Sequence, residues 1–306
     1  MLQVHLVREL DLLQPPQPGR PAFLSAASGL VQAGQFLYVV ADDELHLGVF
    51  PVSGKAPGTL LRLRAGELPD DQAARKAVKP DLESLTRIVP SPHHPYGALL
   101  AMGSGSRPNR RAGYIVELAE QGAAIDSPHG IDLSGVFATF EQRVQDINIE
   151  GAMLDGERLR LLQRGNKGAG RNAIIDLHCE RLTHRLRHDR SIDAAELRDI
   201  AYFDLGDVQG VPLCFSDAVV LPDGAIAFTA VAEDTADNYT DGGCVGAAVG
   251  IINASGHLQT LRHLEQPLKI EGIEARSEGN LLRLLLVTDA DDPLIPASLY
   301  TAELAR

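Results

Sequence analysis

Short apolar runs alternate along this chain with polar turns, and at intervals the same opening phrase returns. It consists of an apolar or small residue, an acid or serine, a small or polar residue, and then an apolar stretch. The phrase stands at Ala27-Ser28-Gly29-Leu30, Leu82-Glu83-Ser84-Leu85, Ile149-Glu150-Gly151-Ala152, Phe215-Ser216-Asp217-Ala218 and Ile270-Glu271-Gly272-Ile273. Its second residues are spaced by 55, 67, 66 and 55 positions. A near-regular period of this length, with strand-like text between the repeats, predicts a radial array of β-sheets, a propeller.

Each phrase opens a strand, and a Gly- or Asp-bearing hairpin turn follows most of them, at Ala33-Gly34, Asp155-Gly156, Asp223-Gly224 and Glu278-Gly279. Second strands are predicted at 36–40, 98–102, 159–162, 225–229 and 281–287. Third strands are predicted at 45–52, 112–118, 172–178, 246–253 and 297–304. Fourth strands are clearest at 58–63 and 257–264. The last repeat runs out of chain after its third strand, and 4–10 can supply the missing one and close the ring. The count favours an all-β, five-bladed propeller occupying 1–306 as one domain. A sixth blade has room only at 65–79 or 181–206, which read as loop or helix, with short helices over 74–78 and 191–197. A two-sheet sandwich with chance repeats is the alternative.

The composition narrows the possible partners. A formal charge of −13 argues against duplex nucleic acid, which needs a basic surface to release counterions. The absence of Trp and 5% aromatic content weaken any stacking platform. Three widely spaced cysteines form neither a disulfide framework nor a zinc pattern. No apolar stretch approaches the roughly 20 residues of a membrane span, and the N-terminus alternates like a strand rather than a signal peptide. A cytoplasmic protein is the expectation.

In a propeller the first strand of each blade lines the channel, and the loops entering it share a face with those joining strands two and three. One mouth therefore gathers Ser28, Glu83, Glu150, Ser216 with Asp217, and Glu271. The loops after the second strands add Asp42-Asp43, 104–111, 164–171, 233–239 and 289–292. Three glutamates around a narrow channel repel one another, and burial disfavours their charged forms. A cation relieves both problems, and hard oxygen donors suit Ca²⁺ or Mg²⁺. Glu83, Glu150 and Glu271 are thus candidate metal ligands; alternatively, each caps backbone amides of a neighbouring blade.

Two Gly-bearing loops are basic. Arg107, Arg110, Arg164, Lys167 and Arg171 are candidates for gripping a small anionic ligand, because guanidinium forks match carboxylate and phosphate. Alternatively they pair with the acidic ring and hold blades together. Neither loop is a P-loop. His93-His94, between prolines, reads as a solvated turn rather than a metal pair. Ser28 and Ser216 lack a nucleophile elbow, so Asp217 has the better claim as a base or ligand.

The phrases Asp81-Leu82-Glu83-Ser84-Leu85, Asn148-Ile149-Glu150-Gly151-Ala152 and Lys269-Ile270-Glu271-Gly272-Ile273 resemble the strand openings of phytase-like, or esterase-like, β-propeller proteins. With Gly103-Ser104-Gly105-Ser106-Arg107 and Gln163-Arg164-Gly165-Asn166, the set is similar to an uncharacterised bacterial branch of that group. The resemblance runs from about Ser28 to the C-terminus. It implies Ca²⁺ in an acidic mouth and hydrolysis of phosphate monoesters there, with Glu83, Glu150 and Glu271 at matching openings. The chain departs from the pattern at Ser84, in two serine openings, and in five blades where such phytases have six. The resulting expectation is a Ca²⁺-dependent hydrolase of an anionic, phosphorylated small molecule. Glu83, Glu150, Asp217 and Glu271 would hold metal or activate water. A non-catalytic binding propeller and a lactonase-like metal-dependent enzyme are the alternatives, and the oligomeric state stays open.

Overall fold

In the computed structural model, which describes residues 1–192, 195–235 and 242–306, five four-stranded antiparallel sheets stand around a central channel. Blade one comprises Ala27–Ala33, Phe36–Ala41, His46–Pro51 and Thr59–Arg62. Blade two comprises Leu82–Ile88, Ala98–Gly103, Ala112–Glu117 and His129–Asp132. Blade three is Ile149–Asp155, Arg158–Gln163, Ala173–His178 and Glu196–Tyr202. Blade four is Cys214–Val220, Ile226–Glu233, Cys244–Ile252 and Leu258–His263. Blade five takes Ile270–Glu278, Leu281–Thr288 and Ser298–Ala305 from the C-terminus and Val4–Glu9 from the N-terminus. The closing strand pairs Val4 with Ala302 and Glu9 with Ser298.

Burial falls from the axis outward, and this gradient explains what the sequence shows. Inner and second strands such as Ala98–Gly103 are covered on both faces and read as unbroken apolar runs. Outer strands such as Leu258–His263 are largely exposed and nearly featureless. The hydrophobic core is divided into five clusters, one between each pair of adjacent blades. Between blades two and three, for example, Leu100, Met102 and Ile115 meet Leu159, Leu161 and Ile175. Each blade therefore buries its faces only against its neighbours, and the ring must close for all five clusters to be complete.

The predicted helix over 74–78 appears as Gln72–Val78, with Asp71 Oδ1 accepting the Ala74 amide at 2.8 Å. The expected helix over 191–197 is corrected. Asp193 and Ala194 lie outside the described residues, while Glu196 and Leu197 begin the outer strand of blade three. The acids and alanines there resemble a helix start, but pairing with Ala173–His178 decides the conformation. Helical turns occur instead at Leu182–His184 and Arg185–Asp189. The three cysteines are free. No helix of the described residues is long and apolar enough to cross a membrane.

Candidate functional site

Every inner strand breaks register at the same place. Pairing with the second strand skips Ser28, Glu83, Glu150, Ser216 and Glu271, the second residue of each opening phrase. A bulge takes one residue out of the ladder and re-aims its side chain. The following residue faces the inner strand of the next blade at close quarters. A Cβ on Gly272 would lie 2.6 Å from Val287 Cγ2 and 3.1 Å from the backbone of Gly29 and Leu30. Gly29 and Gly151 occupy the same position in blades one and three. In blade four that position is Asp217. Its Oδ1 accepts the Ala218 amide at 2.8 Å and its Oδ2 accepts the Ile273 amide of blade five at 2.9 Å. Asp217 is thus placed within the ring wall and not at the mouth.

The bulged glutamates line one funnel, a cavity of about 90 Å³. Eight carboxylates surround it (Asp42, Asp81, Glu83, Glu150, Glu233, Glu271, Asp289 and Asp291) against five cations, Lys76, Lys79, Arg110, Arg164 and Lys269. The groups separate into two lobes. In the first, Lys79 Nζ bonds Asp42 and lies 3.0 Å from Asp81, while Arg110 Nη1 donates to Asp81 Oδ2 at 2.7 Å. Ser104 Oγ also donates to Asp81. In the second, Arg164 Nη2 donates to Glu233, and its Nη1 lies 3.6 Å from Glu150 and 3.4 Å from Glu271. Lys269 Nζ reaches Asp291 at 2.5 Å, Glu271 at 3.6 Å and Glu233 at 3.7 Å.

Cations do not fully offset the burial of so many acids. Desolvation pushes Glu150 up to about 8, with Arg164 opposing and Glu271 adding to the shift. Desolvation, then repulsion from Glu150 and Asp81, drives Glu83 well above the usual carboxylate range. Burial lifts Asp42 to about 6 despite Lys79, and Asp289 rises well above its ordinary value for the same reason. Lys79, Arg164 and Lys269 are held firmly protonated, their acidic neighbours outweighing desolvation.

Among the described residues, one group of three acids brings its oxygens within 4.8 Å of one another: Asp42, Asp81 and Glu83. Oxygens bound to one Ca²⁺ stand up to about 5 Å apart across the ion, so this spacing suits a hard divalent cation. Across the funnel, Glu271 Oε2 is buried with no hydrogen-bond partner. Of the three predicted metal ligands, Glu83 belongs to the compact group, while Glu150 and Glu271 face Arg164.

The predicted anion-binding residues divide. Arg110 and Arg164 are in the funnel, each engaged by carboxylates. Lys167 is exposed and paired with Asp234, and Arg171 stacks on Tyr202 at 4.0 Å from the ring centre. Arg107 precedes the turn Pro108–Arg110, outside the funnel lining. Ser28 lines the funnel, whereas Ser216 is buried and donates to Ile270 O at 2.6 Å. Asp237, Asn238 and Tyr239 of the blade-four loop lie outside the described residues. Sequence reasoning passed over Lys79 and Lys269. Their signal is a lysine shortly before a bulge glutamate, four positions ahead of Glu83 and two ahead of Glu271.

The family model for DUF6929, a family of unknown function, matches residues 23–304, and the chain belongs to that family. No curated protein sequence matches it. Among solved structures, it is similar to a candidate glycoside hydrolase from Parabacteroides distasonis, at 10% identity over 99% of this chain and 97% of that one, with a TM-score of 0.50. It is also similar to a luciferin-regenerating enzyme, at 10% identity over 99% and 95% of the two chains and a TM-score of 0.46. A gluconolactonase from Xanthomonas campestris matches at 13% identity over 90% and 71%, with a TM-score of 0.41. At these identities the likeness is one of fold.

Proposed function

We propose that this DUF6929 member is a hydrolase whose funnel holds a divalent cation, Ca²⁺ before the others, on Asp42, Asp81 and Glu83. The observation that carries this reading is the convergence of those three oxygen donors, within 4.8 Å of one another, in a mouth whose acids outnumber its cations. The donors are hard oxygens without thiolate or imidazole, which favours Ca²⁺ or Mg²⁺. Lys79 now bridges Asp42 and Asp81 and has to yield to an entering ion.

A cation bound there supplies Lewis-acid polarisation of a substrate oxygen. The chain's own residues supply the rest. The Asn148 amide fixes Glu150 Oε1, so that this carboxyl can relay a proton from the attacking water to the leaving oxygen. Arg164 holds Glu233 and Glu271 in place around it. Because Arg110 and Arg164 are already engaged by carboxylates, neither is left to pair with a phosphate dianion, whereas a neutral lactone or ester needs no such partner. We therefore place lactones and esters ahead of the phosphorylated substrate expected from the sequence.

The test is turnover by metal-stripped protein on γ- and δ-lactones, p-nitrophenyl acetate and p-nitrophenyl phosphate, with and without Ca²⁺, Mg²⁺ or Mn²⁺. Lactone or ester hydrolysis that depends on Ca²⁺ and falls by ~10²-fold or more in Asp81→Asn supports the reading. No turnover with any metal contradicts it. A second reading, a non-catalytic binding scaffold, is favoured by one specific observation. Lys79, Arg164 and Lys269 already serve as fixed counter-charges, and on that reading the funnel takes up no divalent ion.

A further inference from the structure

On the face opposite the funnel, three histidine rings meet. His93 lies in the loop between the first two strands of blade two. His184 and His188 lie four residues apart, on the helical turns between the last two strands of blade three. Loops of both kinds lie on the far face of a propeller from its strand-one entrances. The ring centres are 5.0 Å apart for His93 and His184, 5.4 Å for His93 and His188, and 4.8 Å for His184 and His188.

We propose that His93, His184 and His188 form a binding site for a borderline divalent transition metal, Zn²⁺, Co²⁺ or Ni²⁺, that joins blades two and three. With metal–nitrogen bonds of about 2.1 Å and tetrahedral angles, imidazole centres around one ion stand roughly 5.3 Å apart. The three observed separations bracket that value. Two histidines at i and i+4 share a helix face, a spacing that suits metal ligation. The turn that carries His188, directly after His184, is π-helical over Arg185–Asp189, a rare conformation often found at functional positions.

The scaffold beneath the trio is fixed. His94, fully buried beside His93, makes contacts of 3.0 and 3.1 Å to the Glu117 carboxylate through Nδ1 and of 3.1 Å to Thr183 O through Nε2. It thereby fastens the loop to the helical turn. His184 Nδ1 has no hydrogen-bond partner and lies 3.8 Å from Asp189 Oδ1, where a carboxylate can orient a ligating imidazole. The ring nitrogens do not yet converge as the funnel oxygens do, so closure needs rotation of the rings about χ2. Three protein ligands leave a fourth position for water or a ligand atom.

This site is independent of the funnel, and its test separates the two. Metal-stripped full-length protein is titrated with Co²⁺ in excess Ca²⁺, followed by visible absorption and calorimetry. The expected result is one equivalent bound with a tetrahedral d–d band, competed by Zn²⁺ and unchanged in Asp81→Asn. His93→Ala, at a half-buried position, and His188→Ala, at an exposed one, each weaken binding by at least ~10-fold. Circular-dichroism melts of the metal-free variants check that they fold, and His188→Asn replaces any that does not. Absence of stoichiometric binding overturns the proposal, as does binding indifferent to His93 and His188.

Discussion

At the scale of single residues, the funnel is governed by acids that folding prevents from ionising. Glu150 keeps its proton to about pH 8, against 4.5 for the free group, because burial disfavours the carboxylate. Its contribution to stability is therefore fully present below pH 4.5 and is lost as pH rises toward 8, since the unfolded chain ionises first. Glu83, Glu271 and Asp289 are shifted in the same direction. A divalent ion reverses the balance by favouring the ionised forms, so its binding must release protons. The metal-free protein is expected to lose thermal stability between pH 5 and pH 8. Calcium is expected to restore it with proton release, read by calorimetry in two buffers of different ionisation enthalpy. A stability that is flat or rises across that window, with no proton release, contradicts this account.

At the scale of elements, the repeating phrase marks a β-bulge on each inner strand, and for that reason it could be read without a structure. An unpaired residue that must face the channel, followed by a residue squeezed against the next blade, leaves the same local text wherever the geometry recurs. Gly272→Ala is expected to destabilise by ~1–3 kcal/mol, because Val287 and the Gly29–Leu30 backbone leave no room for a methyl group. A denaturant midpoint equal to that of the parent would show that the blades can separate there. Outer strands left a weaker trace. Glu196–Tyr202 is mostly exposed, so no alternating apolar face distinguishes it from a helix start. The site itself was legible only in part. Glu83, Glu150 and Glu271 are legible as lining of the mouth because the repeat points to them. Lys79 and Lys269 stand shortly before bulge glutamates, but their ion pairs are made across the fold, the latter reaching Glu233 in another blade, and that spacing alone does not announce them.

At the scale of the whole molecule, the ring depends on the two ends of the chain meeting in blade five. Val4–Glu9 covers the edge of Ser298–Ala305, and Leu2 and Val4 join the core between blades four and five. Removing residues 1–10 uncovers that edge and opens two inter-blade clusters, since Leu10 belongs to the one between blades five and one. An uncovered edge strand is a template for another chain, so the truncated protein is expected to melt lower and to associate in sedimentation. A monomer with an unchanged melting temperature contradicts a closing role.

The proposed cation site lies between neighbouring blades, where the packing of blade one on blade two brings Asp42, just after Phe36–Ala41, to Asp81 and Glu83 at the entrance of blade two. The most direct test is a crystal soaked in Mn²⁺ or a lanthanide as a calcium substitute, with anomalous scattering recorded. The account predicts an anomalous peak among Asp42, Asp81 and Glu83, with Lys79 withdrawn from the first two. A funnel without a peak, with Lys79 still bridging Asp42 and Asp81, would contradict the metal site and leave a binding scaffold held together by its own charges.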